Sequence, residues 1–260
     1  MSKLTKEQAK KHLAAVDLLK KDRLSEDDRW FVLENWQESA AHINSTAGAF
    51  FTPVMLARDF AIEVHGTRVL DLCAGIGCLS FMAFNKSCWG RDPIEITCVE
   101  LNPDYVAVGQ KVLPEARWII GDIFSLPIDL GRFDCVISNP PFGATKRNGD
   151  APRYSGRSFE YHVIDIASDL GEYGAFIIPQ NSAPFKYSGR QSFELTPNDE
   201  YARFHADTGI SLEMNCGIDT ECHRGDWRGV APAVEIVCAE FDEVREARRP
   251  AQIDMFEVAA

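Results

Sequence analysis

Chemistry is suggested first by Asn139-Pro140-Pro141-Phe142, which lies in the run Asp134-Cys135-Val136-Ile137-Ser138-Asn139-Pro140-Pro141-Phe142-Gly143. The first half is an apolar strand, and the prolines end it because neither can donate to a ladder. Asn139 is thereby held rigidly at the end of a buried strand. Such a group suits an aromatic amine, whose lone pair is delocalised into its ring. Acceptors aimed at both amino hydrogens draw the nitrogen toward a tetrahedral, nucleophilic geometry. The Asn139 side-chain oxygen and the Pro140 carbonyl are the candidates, acting by preorganisation rather than as a base. Phe142 would stack on the ring, a contact worth ~1–3 kcal/mol per base. A base in a duplex would first have to leave its stack. The plainer reading is a rigid turn with an incidental asparagine. Its place at a strand end, facing a second set of polar residues, argues against that.

The second set begins in Val69-Leu70-Asp71-Leu72-Cys73-Ala74-Gly75-Ile76-Gly77, a buried strand that passes through a glycine turn into a helix. Glycine lets the backbone approach a ligand, and the helix start offers free N–H groups. The next apolar run ends in Glu100-Leu101, and Glu100 can accept from both hydroxyls of a ribose. The third ends in Gly121-Asp122-Ile123-Phe124, where Asp122 can accept from an adenine amino group beside an apolar wall. Three acids at three successive strand ends form a nucleoside-binding edge. A nicotinamide dinucleotide is the competing ligand, but its GxGxxG turn is absent. The acid in this turn would repel a pyrophosphate and suits a cationic group.

This pattern resembles the cofactor motif of class I S-adenosylmethionine-dependent methyltransferases. The Asn-Pro-Pro-aromatic loop is similar to the catalytic motif of amino-methyltransferases acting on adenine, cytosine or glutamine amide. Upstream, Gly48-Ala49-Phe50-Phe51-Thr52-Pro53 resembles the segment that precedes the cofactor strand in gamma-class adenine DNA methyltransferases, including modification subunits of type I restriction systems. The order FFTP, DLCAGIG, NPPF matches the gamma arrangement, and the resemblance covers roughly residues 46–180. It implies methyl transfer to N6 of adenine in DNA, with S-adenosylmethionine as cofactor. Phe51, Thr52 and Pro53 would line the methionine end. Asp71, Cys73, Ala74, Gly75, Gly77, Glu100, Leu101, Asp122, Ile123 and Asn139 complete the implied cofactor contacts. Asn139, Pro140, Pro141 and Phe142 form the implied catalytic loop. Two other substrates stay open. The loop followed by Thr-Lys is also similar to ribosomal-RNA adenine methyltransferases. Glutamine methyltransferases of release factors share it but usually carry Tyr at the position of Phe142. A catalytically silent subunit of a heterodimer is the non-enzymatic alternative, and the intact acids and loop weigh against it.

These residues must be positioned by short apolar runs alternating with helical periodicity. Strands are expected over 67–73, 95–100, 117–121, 133–138 and 174–179, with a closing hairpin from 211–216 and 233–241. Helices are expected over 53–64, 79–85, 103–112 and 161–170, the first with Thr52 as N-cap and Pro53 at its first position. The fold expected is α/β, a Rossmann-like class I methyltransferase with a mostly parallel seven-stranded sheet covered on both faces. Residues 1–45 form a helical N-terminal segment, broken near 22–28. Small and polar residues at 40–50 suggest a connector or binding loop. The catalytic domain then spans 46–245, with a substrate-facing insertion near 181–230, and 246–260 form a tail.

The net charge of -12 excludes a protein that simply coats nucleic acid, because backbone affinity comes largely from Lys and Arg. Contact with a nucleic acid, DNA favoured over RNA, must be local or supplied by a partner subunit carrying target recognition. Two segments are candidates, 143–157 with Lys146, Arg147, Arg153 and Arg157, and 181–230 with Lys186, Tyr187, Arg190 and Trp227. Lys146, Arg147 and Lys186 are the expected substrate-binding cations, forming a local positive rim. No apolar run approaches the roughly 18 residues that span a bilayer, so no membrane association is expected. The lysine-rich start does not read as a secretory signal, which places the chain in the cytoplasm by default. The eight cysteines then stay reduced. Cys216, Cys222 and His223 lack a second Cys pair, so no metal is expected.

Overall fold

The computed structural model describes residues 5–37, 50–87, 94–127, 130–228 and 230–248. Five strands run parallel: β1 (Arg68–Leu72), β2 (Glu95–Glu100), β3 (Arg117–Ile120), β4 (Phe133–Ser138) and β5 (Gly171–Pro179). Beyond them, β6 (Phe185–Lys186) and β7 (Glu194–Leu195) form a separate two-stranded ribbon. The main sheet is closed by β8 (Glu213–Met214) and β9 (Val234–Glu240), in the order β3-β2-β1-β4-β5-β9-β8. β9 is antiparallel to both its neighbours. The mostly parallel seven-stranded sheet expected from the sequence is therefore present.

Successive strand residues point to opposite faces, and here both faces are buried. Val69, Cys98, Cys135, Ile137, Ala175 and Ile177 enter one core, while Leu70, Leu72, Val99, Val136, Phe176 and Ile178 enter the other. The first core is covered by α1 (Lys6–Leu18), α2 (Glu26–Asn35), α3 (Val54–Phe60), α4 (Cys78–Ser87) and α5 (Pro103–Val112). The second is covered by α6 (Phe159–Leu170) and α7 (Asp199–Thr208), with α8 (Asp242–Arg248) packed beside α6. Strands lie to either side of the β1–β4 pair, so the order reverses there. The crevice between the carboxyl ends of β1 and β4 is where such sheets bind ligands.

The N-terminal segment caps the first core. Both its helices start with a capping box, Thr5 with Gln8 and Ser25 with Asp28, each cap worth ~1 kcal/mol. The Arg29 guanidinium forks onto the Glu115 carboxylate at 3.0 Å, and Trp30 meets Phe81 edge-on at 6.1 Å. Arg228 donates to the Leu33 and Trp36 carbonyls, satisfying acceptors that a helix end leaves without partners.

One detail differs from expectation, and others extend it. α3 begins at Val54 with Pro53 in the N-cap position, and no side chain caps it; the Thr52 hydroxyl is taken by Asn139 instead. The 181–230 insertion is structured, holding the β6–β7 ribbon, α7 and a 3-10 turn at Thr220–Asp226. The start signal of α7 (Asn198 capping Tyr201, then Asp199 and Glu200) and its stop at left-handed Gly209 are present in the sequence. The expected connector at 40–50 lies outside the described residues except for Phe50. The expected tail begins within α8, and 249–260 lie outside.

Phe176 is fully buried and packs against Phe241 at 6.4 Å. Phe176→Ala is expected to cost about 3–5 kcal/mol in urea unfolding. Arg29→Ala should cost less than about 1 kcal/mol, because its ion pair is partly solvated.

Candidate active site

A cavity of about 460 Å³ opens at the carboxyl edge of β1 to β4. Its centre is the turn after β1. Cys73 takes a left-handed conformation (φ 61°), as do Gly75 (φ 57°) and Gly77 (φ 85°). Glu100 holds this turn, since its Oε2 accepts from the Gly75 N–H at 2.8 Å. A Cβ on Gly75 would sit 3.3 Å from the Phe51 ring, so glycine also makes room for the aromatic wall. That wall is a cluster in which Phe51 lies 5.2 Å from Tyr105 and 5.7 Å from Trp36.

Asn139 stands opposite, one residue past β4. Its Nδ2 donates to the Phe50 carbonyl and to Thr52 Oγ1, both at 2.9 Å. These two acceptors fix the orientation of the amide and commit both its hydrogens. Oδ1 is left buried without a partner on a residue that lines the cavity. An unmet buried acceptor costs roughly 1–3 kcal/mol, which a donor on a bound molecule would recover.

Asp71 is the second orphan. It is 1% exposed; Oδ2 accepts from the Ser80 hydroxyl at 2.6 Å, while Oδ1 has no partner. Burial, with the charge of Glu100 adding to it, pushes its carboxyl up to about 7 against the bond from Ser80. Burial likewise raises Glu100, although the Asn102 and Gly75 N–H groups pull the other way. Asp122 accepts from the Phe124 N–H at 3.0 Å and from the Asn148 amide at 2.8 Å. All three acids line one cavity. An orphaned, desolvated carboxylate calls for a cation, and acids along the edge suit hydroxyl and amino groups. That set fits S-adenosylmethionine and would repel a pyrophosphate.

Of the residues singled out in the sequence, Phe51, Thr52, Asp71, Cys73, Ala74, Gly75, Glu100, Leu101, Asp122, Ile123, Asn139, Pro141, Lys146 and Arg147 line this cavity. Four others do not. Pro53 is the N-cap residue of α3, Gly77 sits beneath the Trp118 ring, and Pro140 is buried. Phe142 is half-buried, 6.1 Å from Phe50 and 6.4 Å from Trp227, so its ring is recruited into an aromatic cluster rather than the wall. Lys186 lies on β6 and lines a different cavity. The expected positive rim is also weaker than its composition suggests. Arg147 is paired with Asp150 at 2.7 Å, and Arg153 with Asp165 at 2.8 Å and Asp169 at 2.6 Å. His223 is bound to Asp59 at 2.7 Å, while Cys222 Sγ contacts the Asp219 carbonyl. Sequence reasoning missed Phe50, Asn102, Tyr105, Asn148 and Phe159 as lining residues. Only Asn102 carried a signal, as the N-cap directly after the Glu100 strand end.

An acid whose folded value lies above its ordinary 3.8 costs stability as pH rises past that value, and the cost is fully present above about 7. Asp71→Asn is expected to leave the melting temperature unchanged near pH 4 and to raise it at pH 8. The same variant should bind S-adenosylmethionine more weakly at pH 8. Thermal melts and titration calorimetry check both outcomes; unchanged affinity would remove Asp71 from the site.

Residues 47–152 match the family model described as the methyltransferase small domain. Among solved structures, the chain is similar to a Listeria monocytogenes protein assigned to the class I S-adenosylmethionine-dependent methyltransferases, with 12% identity over 86% of this chain and 70% of that one, and a TM-score of 0.58. It is also similar to the methyltransferase subunit of a type I restriction-modification system from Streptococcus thermophilus (15% identity, TM-score 0.52), over 82% of this chain and 49% of that one. This chain thus spans about half the length of that subunit. Among the described residues no helix is long and apolar enough to cross a membrane. The chain is built on the Rossmann-like methyltransferase fold, with residues 47–152 similar to the methyltransferase small domain and S-adenosylmethionine as the cofactor that its acidic strand ends fit.

Proposed function

We propose that the chain transfers a methyl group to the exocyclic N6 amino group of adenine in a nucleic acid, with DNA the favoured polymer. The observation that carries this reading is the Asn139 amide. Its hydrogens are committed to Phe50 and Thr52, so it presents a buried, partnerless Oδ1 to the cavity. An amino hydrogen is the donor that this atom lacks.

When bound, S-adenosylmethionine supplies an electrophilic methyl carbon on a positively charged sulfur. Asp71 and Glu100 hold the cofactor's cationic and ribose groups, with Phe51 and Tyr105 walling the same pocket. Asn139 Oδ1 accepts from one of the two amino hydrogens, turning the nitrogen lone pair out of the ring. Transfer of the methyl carbon from sulfur to that nitrogen would free one of the amino hydrogens as a proton to solvent. Because this acceptor is held rigid by Phe50 and Thr52 before substrate arrives, it lowers the barrier without reorganising.

Two features support DNA. The Phe-Phe-Thr-Pro segment, which resembles that of gamma-class DNA enzymes, is the segment that grips Asn139. The fold is also shared with the type I restriction-modification subunit. The net charge of -12 and the internal pairing of Arg147 and Arg153 limit backbone affinity. A partner subunit supplying target recognition would make up that deficit.

Purified chain supplied with labelled S-adenosylmethionine should yield N6-methyladenine in DNA on nucleoside analysis. Label confined to RNA would replace the polymer and keep the chemistry; label in neither, with or without a partner, would sink the reading. Asn139→Ala is expected to reduce turnover by roughly 10²–10³, the scale of one preorganised hydrogen bond. Cofactor affinity should fall less than about tenfold. Equal losses in both would make Asn139 a structural clamp alone.

A further inference from the structure

A second cavity, of about 500 Å³, lies behind the first turn of α6. Phe159 lines the active-site cavity while Ser158 lines this one, so one backbone step separates the two. Glu160, 1% exposed, braces the wall between them. Its Oε2 accepts from the Gly143 N–H at 2.8 Å, and its Oε1 from the Ser182 hydroxyl at 2.6 Å. Gly143 ends the catalytic loop, and its carbonyl accepts from the Phe159 N–H at 2.9 Å. The start of α6 therefore grips the catalytic loop on one side and walls the second cavity on the other.

The second cavity has the chemistry of a built polar site. Ser158 occupies the N-cap position of α6 and is only 8% exposed, yet its side chain makes no capping hydrogen bond. A serine there ordinarily accepts from the first turn. The Thr196 hydroxyl on the same cavity is buried without a partner. At the mouth, Asn181 offers both a donor and an acceptor. The charges balance, since Arg157 and Lys186 face Asp199 and Glu200. The hydroxyl of Tyr154 and the N–H of Arg157 hold Glu200 below the usual carboxylate range, so it stays ionised. A bare anion gains little in such surroundings. A neutral ring with donors and acceptors along its edge matches them.

We propose that this cavity receives the base next to the methylated adenine, so that the catalytic domain itself reads sequence context. The inference rests on the nucleic-acid reading above. It assigns the Ser158 and Thr196 hydroxyls to the edge of the neighbouring base. Arg157 and Lys186 face the strand that joins the two nucleotides.

The test uses the full chain, S-adenosylmethionine and oligonucleotides carrying one adenine flanked by every combination of neighbours, scored for N6-methyladenine. The unaltered chain should favour one neighbour by about tenfold, the scale of a hydrogen-bonded base contact. The double variant Ser158→Ala, Thr196→Val should reduce that preference to less than about twofold, while Ser158→Thr, which keeps the hydroxyl, should retain it. Melting curves separate loss of contact from loss of fold. The proposal is overturned if the unaltered chain shows no neighbour preference, if the double variant keeps it, or if the variant slows all contexts alike. Absence of N6-methyladenine from every oligonucleotide is a different failure, because it removes the functional reading together with this one.

Discussion

Two hydrogen bonds from one amide organise this site. Asn139 Nδ2 reaches across 89 positions to the Phe50 carbonyl and across 87 to Thr52 Oγ1. Those contacts fasten the segment before β1 to the loop after β4. They also determine which atom of the amide is left over. A glutamine would be longer by a methylene, and an aspartate would turn the attraction to the Phe50 carbonyl into a repulsion. The prolines that follow stop the strand so that the amide stands at its end rather than in the ladder. The constraint is thus met jointly by sheet topology, which brings β1 and β4 together, and by one residue type.

The electrostatics have the opposite character. Asp71 and Glu100 are both raised by burial, and Asp71 keeps an oxygen without any partner. Neither arrangement favours the empty protein. The Ser80 hydroxyl, itself 3.2 Å from Cys98 Sγ, supports only one oxygen of Asp71. Stability is set aside locally for a ligand that brings positive charge and donors, as preorganised sites commonly require.

Much of this architecture is legible in the sequence because its signals are local. Buried parallel strands read as short apolar runs, and all five appear at or near their observed limits. The acids at the strand ends are visible for the same reason. What stays hidden depends on side chains meeting across the fold. Thr52 has the sequence signature of an N-cap, and only the tertiary arrangement shows that Asn139 takes its hydroxyl. Lys186 shares a basic composition with Lys146, yet the β6–β7 ribbon carries it to another cavity. Arg147 and Arg153 look free in sequence because Asp150, Asp165 and Asp169 give no sign of pairing with them. Tyr105 is unremarkable within an amphipathic helix, and it becomes part of the site only where Phe51 packs against it.

The aromatic cluster of Trp36, Phe51 and Tyr105 makes the N-terminal helices more than a cap. Trp36 is the C-cap residue of α2, and its carbonyl is held by Arg228. A ligand that orders Phe51 therefore also orders the carboxyl end of α2. By linkage, opening of the 6–37 hairpin and occupancy of the cavity share one free energy. The amides of α2 would thus exchange with solvent more slowly whenever the pocket is filled. Those helices would report on a binding event that none of them touches.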